Sequence, residues 1–254
     1  MSTTTTPTSP TALARVRAIA GSEFRLIARS KAVLFSATAL PLMFAAFLFF
    51  QRETAVEASD DTTASVGMVS MVVLFFVMFT VYITASTTLV TRRQDLFLKR
   101  LRSGESSDLV ILTGLLVPPV LLCLGQTLLV LVAMVALGNG MPGAWWWLLV
   151  ALVGLLASSV TAATATAALT PNASAAQISS MPYVALALGT LIASPMTENR
   201  WLDLTPGGAV VTLVRAAYEM DVYGNVGVAV AGLALWTYFG YDLSRRLFRW
   251  EPRH

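Results

Sequence analysis

Charge is scarce in this 254-residue chain: Asp, Glu, Lys and Arg make up 12% of it, about half of what a water-soluble domain carries. Histidine occurs once, at position 254, which excludes the two-histidine helix of a membrane zinc protease. The two lysines follow Ser30 and Leu98, and neither stands behind the glycine that a phosphate-cradling loop requires. The chain is therefore not expected to hydrolyse ATP by itself. Cysteine also occurs once, as Cys123 in an apolar run, which rules out an intrachain disulfide and fits a small packing residue. No nucleophile, base and metal-ligand set can be assembled, so an enzymatic role is not expected. The basic residues form no continuous stripe, which argues against nucleic acid as a partner.

What is abundant is apolar surface. Hydrophobic residues reach 56% and the mean hydropathy is +0.70, more than a soluble core of this size can hide. A bilayer core about 30 Å thick needs about 20 helical residues to cross it. Six charge-poor runs meet that need: Ala32–Phe50, Val66–Val90, Leu109–Leu137, Ala144–Leu169, Ile178–Ser194 and Val226–Leu243. The fifth is the weakest, being short and interrupted by Pro182. Pro41 and the pair Pro118-Pro119 also fall inside runs, where they hinge, bend or merely pack. The expectation is an all-α protein with one membrane domain over residues 11–254, preceded by a disordered Thr/Pro/Ser tail over residues 1–10.

Six crossings sort the loops into two sets. One set holds 14 of the 17 basic residues, clustered before the first run, after the second and after the sixth. The other holds only Arg52, Arg200 and Arg215, together with most of the acidic residues. The positive-inside rule places the first set, and both chain ends, in the cytoplasm. With arginine outnumbering lysine 15 to 2, a multi-pass protein of a bacterial inner membrane is expected.

Three segments are more than simple crossings. In Leu13–Lys31, apolar residues Leu13, Val16, Ile19, Ala20, Phe24 and Ile27 recur at helical spacing. They predict a basic amphipathic helix that rests Phe24 in the headgroup boundary while Arg15, Arg25 and Arg29 meet water or anionic lipid; as a plain topology signal the same arginines also make sense. The loop Thr91–Asp108 has helical character, its apolar patch of Phe97, Leu98 and Leu101 flanked by Lys99, Arg100 and Arg102. That patch suits a cytoplasmic partner, although a solvated positive loop is the plainer reading. The segment Pro195–Asn225 contains Thr205-Pro-Gly-Gly, with Thr205 suited to an N-cap and Pro206 to the first helical position. An outer helix partly inserted in the membrane is predicted from it, with Arg215 and Glu219 as an i, i+4 pair.

Ionisable groups are almost missing from the runs, which disfavours a proton-driven carrier. Gln126 is the one strongly polar central residue and a candidate for lining a pathway. The hydroxyls of the fourth run, Ser158, Ser159, Thr161, Thr164 and Thr166, lie among alanines at the spacing of close helix packing.

The basic N-terminal helix, the six runs, the loop Gln94-Asp-Leu-Phe-Leu-Lys-Arg-Leu-Arg102 and the stretch Leu204-Thr-Pro-Gly-Gly-Ala-Val-Val-Thr-Leu-Val-Arg215 together resemble the type-2 ABC-transporter permeases, the family of daunorubicin-resistance-like exporters. The resemblance implies an exporter's membrane subunit that works as a homodimer or heterodimer and carries no cofactor. ATP and magnesium would be bound by separate ATPase subunits. It also implies that Phe97, Leu98, Lys99, Arg100, Leu101 and Arg102 form the coupling helix beneath the membrane, and that the cargo is a hydrophobic or amphiphilic drug, antibiotic or lipid-linked compound. The alternatives are an ATP-independent membrane transporter or a structural or sensor membrane protein.

Overall fold

A computed structural model describes residues 11–58, 60–94, 107–137, 141–197, 199–220 and 224–247. Residues 1–10 and 97–102, which carry the expected tail and coupling helix, lie outside the described residues. Everything regular among the described residues is helical, and six helices are long and apolar enough to cross a membrane. The protein is an all-α, multi-pass membrane protein.

The amphipathic helix α1, Ala12–Arg29, comes first and is capped by Thr11, which accepts from the Ala14 amide. After Ser30 the first crossing helix, α2, runs from Lys31 to Phe50. A short helix α3, Arg52–Ala58, leads to α4, Asp61–Gln94. The remaining crossings are α5, Asp108–Ala136; α6, Trp145–Leu169; and α7, Ala173–Ala193, extended by a 3-10 turn to Met196. A second 3-10 turn, Arg200–Leu204, precedes α8, Pro206–Ala217, and α9 closes the bundle from Val226 to Leu247. Six crossings put α1 and the last turn of α9 at the same end of the bundle.

The crossings fall where the apolar runs predict them, but three run several residues longer: α4, α7 and α9, the last ending at Leu247 rather than Leu243. The helix α4 spans 34 residues, about 51 Å at about 1.5 Å per residue, so it projects beyond a 30 Å hydrocarbon core. Its start is fixed by Asp60, whose carboxylate takes the Thr63 hydroxyl at 2.6 Å and the Thr63 amide at 2.9 Å. Those two donors, the hydroxyl foremost, hold the Asp60 carboxyl below the usual carboxylate range. Likewise α7 begins at Ala173 rather than Ile178 because Asn172 caps it, accepting from the Ala175 amide at 2.9 Å. Pro118, Pro119 and Pro182 sit inside helices that continue through them, as neighbouring helices allow in a membrane bundle.

The core is built around α4. In its most apolar stretch 78% of the residues are buried, against 17% for α2 and 22% for α9, so α4 is the central post and the other two present apolar faces outward. Leu74, Phe76, Val77, Met78, Val81 and Tyr82 are fully buried along it. Both α2 and α4 widen locally into π-helix, at Phe35–Ala39 and Val77–Ile83. These two bulges face each other across a polar contact described below.

The outer segment does enter the bundle. Trp236 Nε1 donates to the Leu204 carbonyl at 2.9 Å. The backbone of Leu204 packs on Gly232, where a Cβ would lie 2.8 Å from the Leu204 Cα, six residues and about 9 Å into α9. From that deepest point α8 returns toward the start of α6, where the Ala144 amide donates to the Ala217 carbonyl at 3.0 Å. Every residue from Pro206 to Val214 is buried, so this non-spanning backbone is enclosed by protein.

Candidate functional site

The last turns of α4 carry two adjacent arginines that do different work. Arg92 donates from Nε and Nη2 to the two carboxylate oxygens of Glu23 on α1, at 2.9 and 3.0 Å. This fork geometry is the strong form of an arginine–carboxylate pair. Glu23 is only 3% exposed and lies four residues from both Ile19 and Ile27, the other buried residues of α1. The buried stripe of α1 is thus Ile19-Glu23-Ile27, and Ile19 presses so closely on Gly114 of α5 that a Cβ there would meet it at 2.7 Å.

Of the predicted apolar face, Ile19 and Ile27 turn toward protein, while Phe24 is exposed, as are Arg25 and Arg29, and Arg15 is half-buried. A helix expected to rest on lipid with its whole apolar side instead docks on α5 and α4 through two isoleucines and one ion pair. Leu13, Phe24 and Leu26 remain outside.

Arg93 points the other way. It is 1% exposed and donates to the carbonyl of Ala167 at 2.9 Å and to that of Thr170. These carbonyls belong to the end of α6, where helix geometry leaves oxygens without intrahelical donors and the helix dipole favours a cation. So two residues in the last turn of α4, which ends at Gln94, grip α1 on one side and α6 on the other. A cavity of about 240 Å³ lies beside Glu23 and Arg92, between α1, α2 and α4.

Gln126 sits elsewhere. It is 4% exposed, donates from Nε2 to the Ala37 carbonyl at 2.9 Å and accepts from the Thr80 hydroxyl at 2.8 Å. Thr80 Oγ1 also lies 2.9 Å from the Ala37 carbonyl. Ala37 and Thr80 belong to the two π-helical segments, so Gln126 ties the bulges of α2 and α4 to α5. Its amide is committed to helix packing.

At the other end Thr205 caps α8, accepting from the Gly208 amide at 3.3 Å, and Pro206 is its first residue. The glycines that follow are demanded by space. A Cβ on Gly207 would lie 2.0 Å from the Ala187 carbonyl, and one on Gly208 would lie 2.1 Å from that of Leu202. Arg215 is half-buried in the last turn. Glu219, expected one turn further along the helix, lies past its end at φ 55°, so no helical i, i+4 register relates it to Arg215. The amides of Glu219 and Met220 donate to the carbonyls of Ala216 and Arg215, a Schellman ending in which Glu219 holds the place glycine usually takes.

Sequence reasoning missed Asp203, an acid 3% exposed at the re-entrant turn. It accepts from the Thr212 hydroxyl at 2.5 Å and the Asn225 amide at 3.0 Å, joining α8 to the start of α9. Its place in a loop gave no signal of burial. Glu23 did leave one: it is the only acid in α1 and stands between two isoleucines at helical spacing.

The fold and these contacts define a polytopic helical membrane protein with a docked amphipathic helix and a re-entrant hairpin. Comparison with protein-family models, with curated proteins and with solved structures gave no match.

Proposed function

We propose that this chain is the membrane-spanning permease subunit of an ATP-driven ABC exporter, moving a hydrophobic or amphiphilic compound out of the cytoplasm. ATP and magnesium belong to separate ATPase subunits, and two permease chains, alike or different, make the pathway. The observation that carries the reading is the double grip of Arg92 and Arg93. A transmitted push needs a stiff link between the loop that receives it and the helices that move. Here the helix entering the loop is tied by buried, charge-assisted bonds to α1 and to α6, so displacement of residues 97–102 is passed to both.

The test is to look for a soluble ATPase gene beside this one and to co-express the pair. The two proteins should co-purify, and replacing Leu98 and Leu101 by Asp should abolish both co-purification and transport while leaving the permease monodisperse. Transport that persists without any ATPase would favour an ATP-independent carrier. Co-purification that survives the double change would remove the loop from the interface.

A further inference from the structure

Two open grooves flank α9, and they differ in chemistry. The one between α6 and α9, of about 690 Å³, is lined by residues such as Val153, Ala157 and Leu233, with no charged residue among the described ones. The other, of about 580 Å³, lies between α5, α6 and α9. Its walls include Leu109, Leu112, Leu116 and Val120 of α5 and Val160 of α6, and its mouth carries Asp108 and Arg245. Asp108 opens α5 and Arg245 belongs to the last turns of α9, so both stand at the same end of the bundle. The Arg245 guanidinium lies 5.6 Å from the centre of the Tyr241 ring, a cation–π contact that holds it on the groove wall.

We propose that this second groove binds one phospholipid whose headgroup carries both a phosphate and a primary ammonium, with one acyl chain along α5. From Leu109 to Val120 is eleven residues, about 16 Å of helix and thus the depth of one leaflet of a 30 Å core. A crossing helix of a second copy would need the whole thickness. Among the described residues the groove walls offer one acid and one base, which match a headgroup of both signs: Arg245 takes the phosphate and Asp108 accepts from the ammonium. A choline headgroup cannot donate to Asp108, and a glycerol headgroup brings no cation to it. This assignment stands apart from the exporter reading, because it concerns lipid held at rest rather than cargo moved.

The experiment is native mass spectrometry of the full chain purified in detergent and supplied with phosphatidylethanolamine, phosphatidylcholine or phosphatidylglycerol. One phosphatidylethanolamine per chain should be retained under conditions that strip the other two. Asp108→Asn and Arg245→Gln should each lower that retention about tenfold, the equivalent of one charge-assisted bond, while Arg245→Lys keeps most of it. Ala157→Phe, in the uncharged groove, should leave it unchanged, and monodisperse elution checks that each variant folds. Equal retention of all three lipids, or retention indifferent to Asp108 and Arg245, would reduce the groove to ordinary annular contact and overturn the proposal. So would a dimer that excludes lipid and dissociates on Val120→Trp.

Discussion

Glu23 and Arg92, 69 residues apart in sequence, meet in a two-bond ion pair that fastens the N-terminal helix to the end of the central one. Removing the Glu23 charge takes both of these bonds from the half-buried Arg92, a cost of about 1.5–3 kcal/mol. Glu23→Gln should therefore lower the thermal midpoint in detergent and loosen α1. Spin labels on α1 and α5 should show a broadened distance distribution. The double variant Glu23→Leu/Arg92→Met should recover much of the loss, because it leaves no lone charge. An unchanged midpoint in Glu23→Gln would mean that the pair does not hold α1.

Arg93 supplies two charge-assisted bonds to the end of α6. Such bonds contribute about 1.5–3 kcal/mol each. Arg93→Met should cost about 3 kcal/mol and raise amide exchange in the last turn of α6, with Arg93→Lys intermediate. Exchange confined to α4 would contradict the link.

The re-entrant hairpin depends on bare backbone at Gly207. A methyl group there would fall 2.0 Å from the Ala187 carbonyl, closer than any rotamer change can relieve, so Gly207→Ala should prevent accumulation of folded protein. Gly189, two residues beyond Ala187 on α7, has nothing within 4 Å of its would-be Cβ. Gly189→Ala should match or slightly exceed the parent in stability, since alanine is the better helix former. The pair separates a steric demand from a general intolerance to substitution.

Glu219 occupies left-handed backbone that favours glycine. Glu219→Gly should stabilise the protein by about 1 kcal/mol, read as a higher thermal midpoint. A lower midpoint would show that the carboxylate, which packs beside Gly143, contributes more than the strain costs.

The crossings were legible because each is an apolar run of membrane length between charges, a one-dimensional property. Their ends were less so. Asp60 and Asn172 begin α4 and α7 through capping, which extends a helix into polar sequence that hydropathy discounts. The Thr205-Pro206 start of α8 was readable from cap chemistry, but not the depth of the turn, which rests on the meeting of Leu204 with Trp236. The same limit hid Arg93 and Asp203: their burial is made by α6 and α9, far away in sequence. The apolar pattern of α1 was visible, yet which part of it faces protein was decided by Glu23 finding Arg92.

The proposed function requires that this bundle be driven from outside by an ATPase. The direct measurement is ATP hydrolysis in liposomes that hold this chain together with any ATPase found encoded beside it, titrated with amphiphilic compounds. Hydrolysis should rise with at least one compound, and the rise should disappear in Leu98→Asp/Leu101→Asp while basal hydrolysis stays. A rate indifferent to the permease and to every compound would contradict the account.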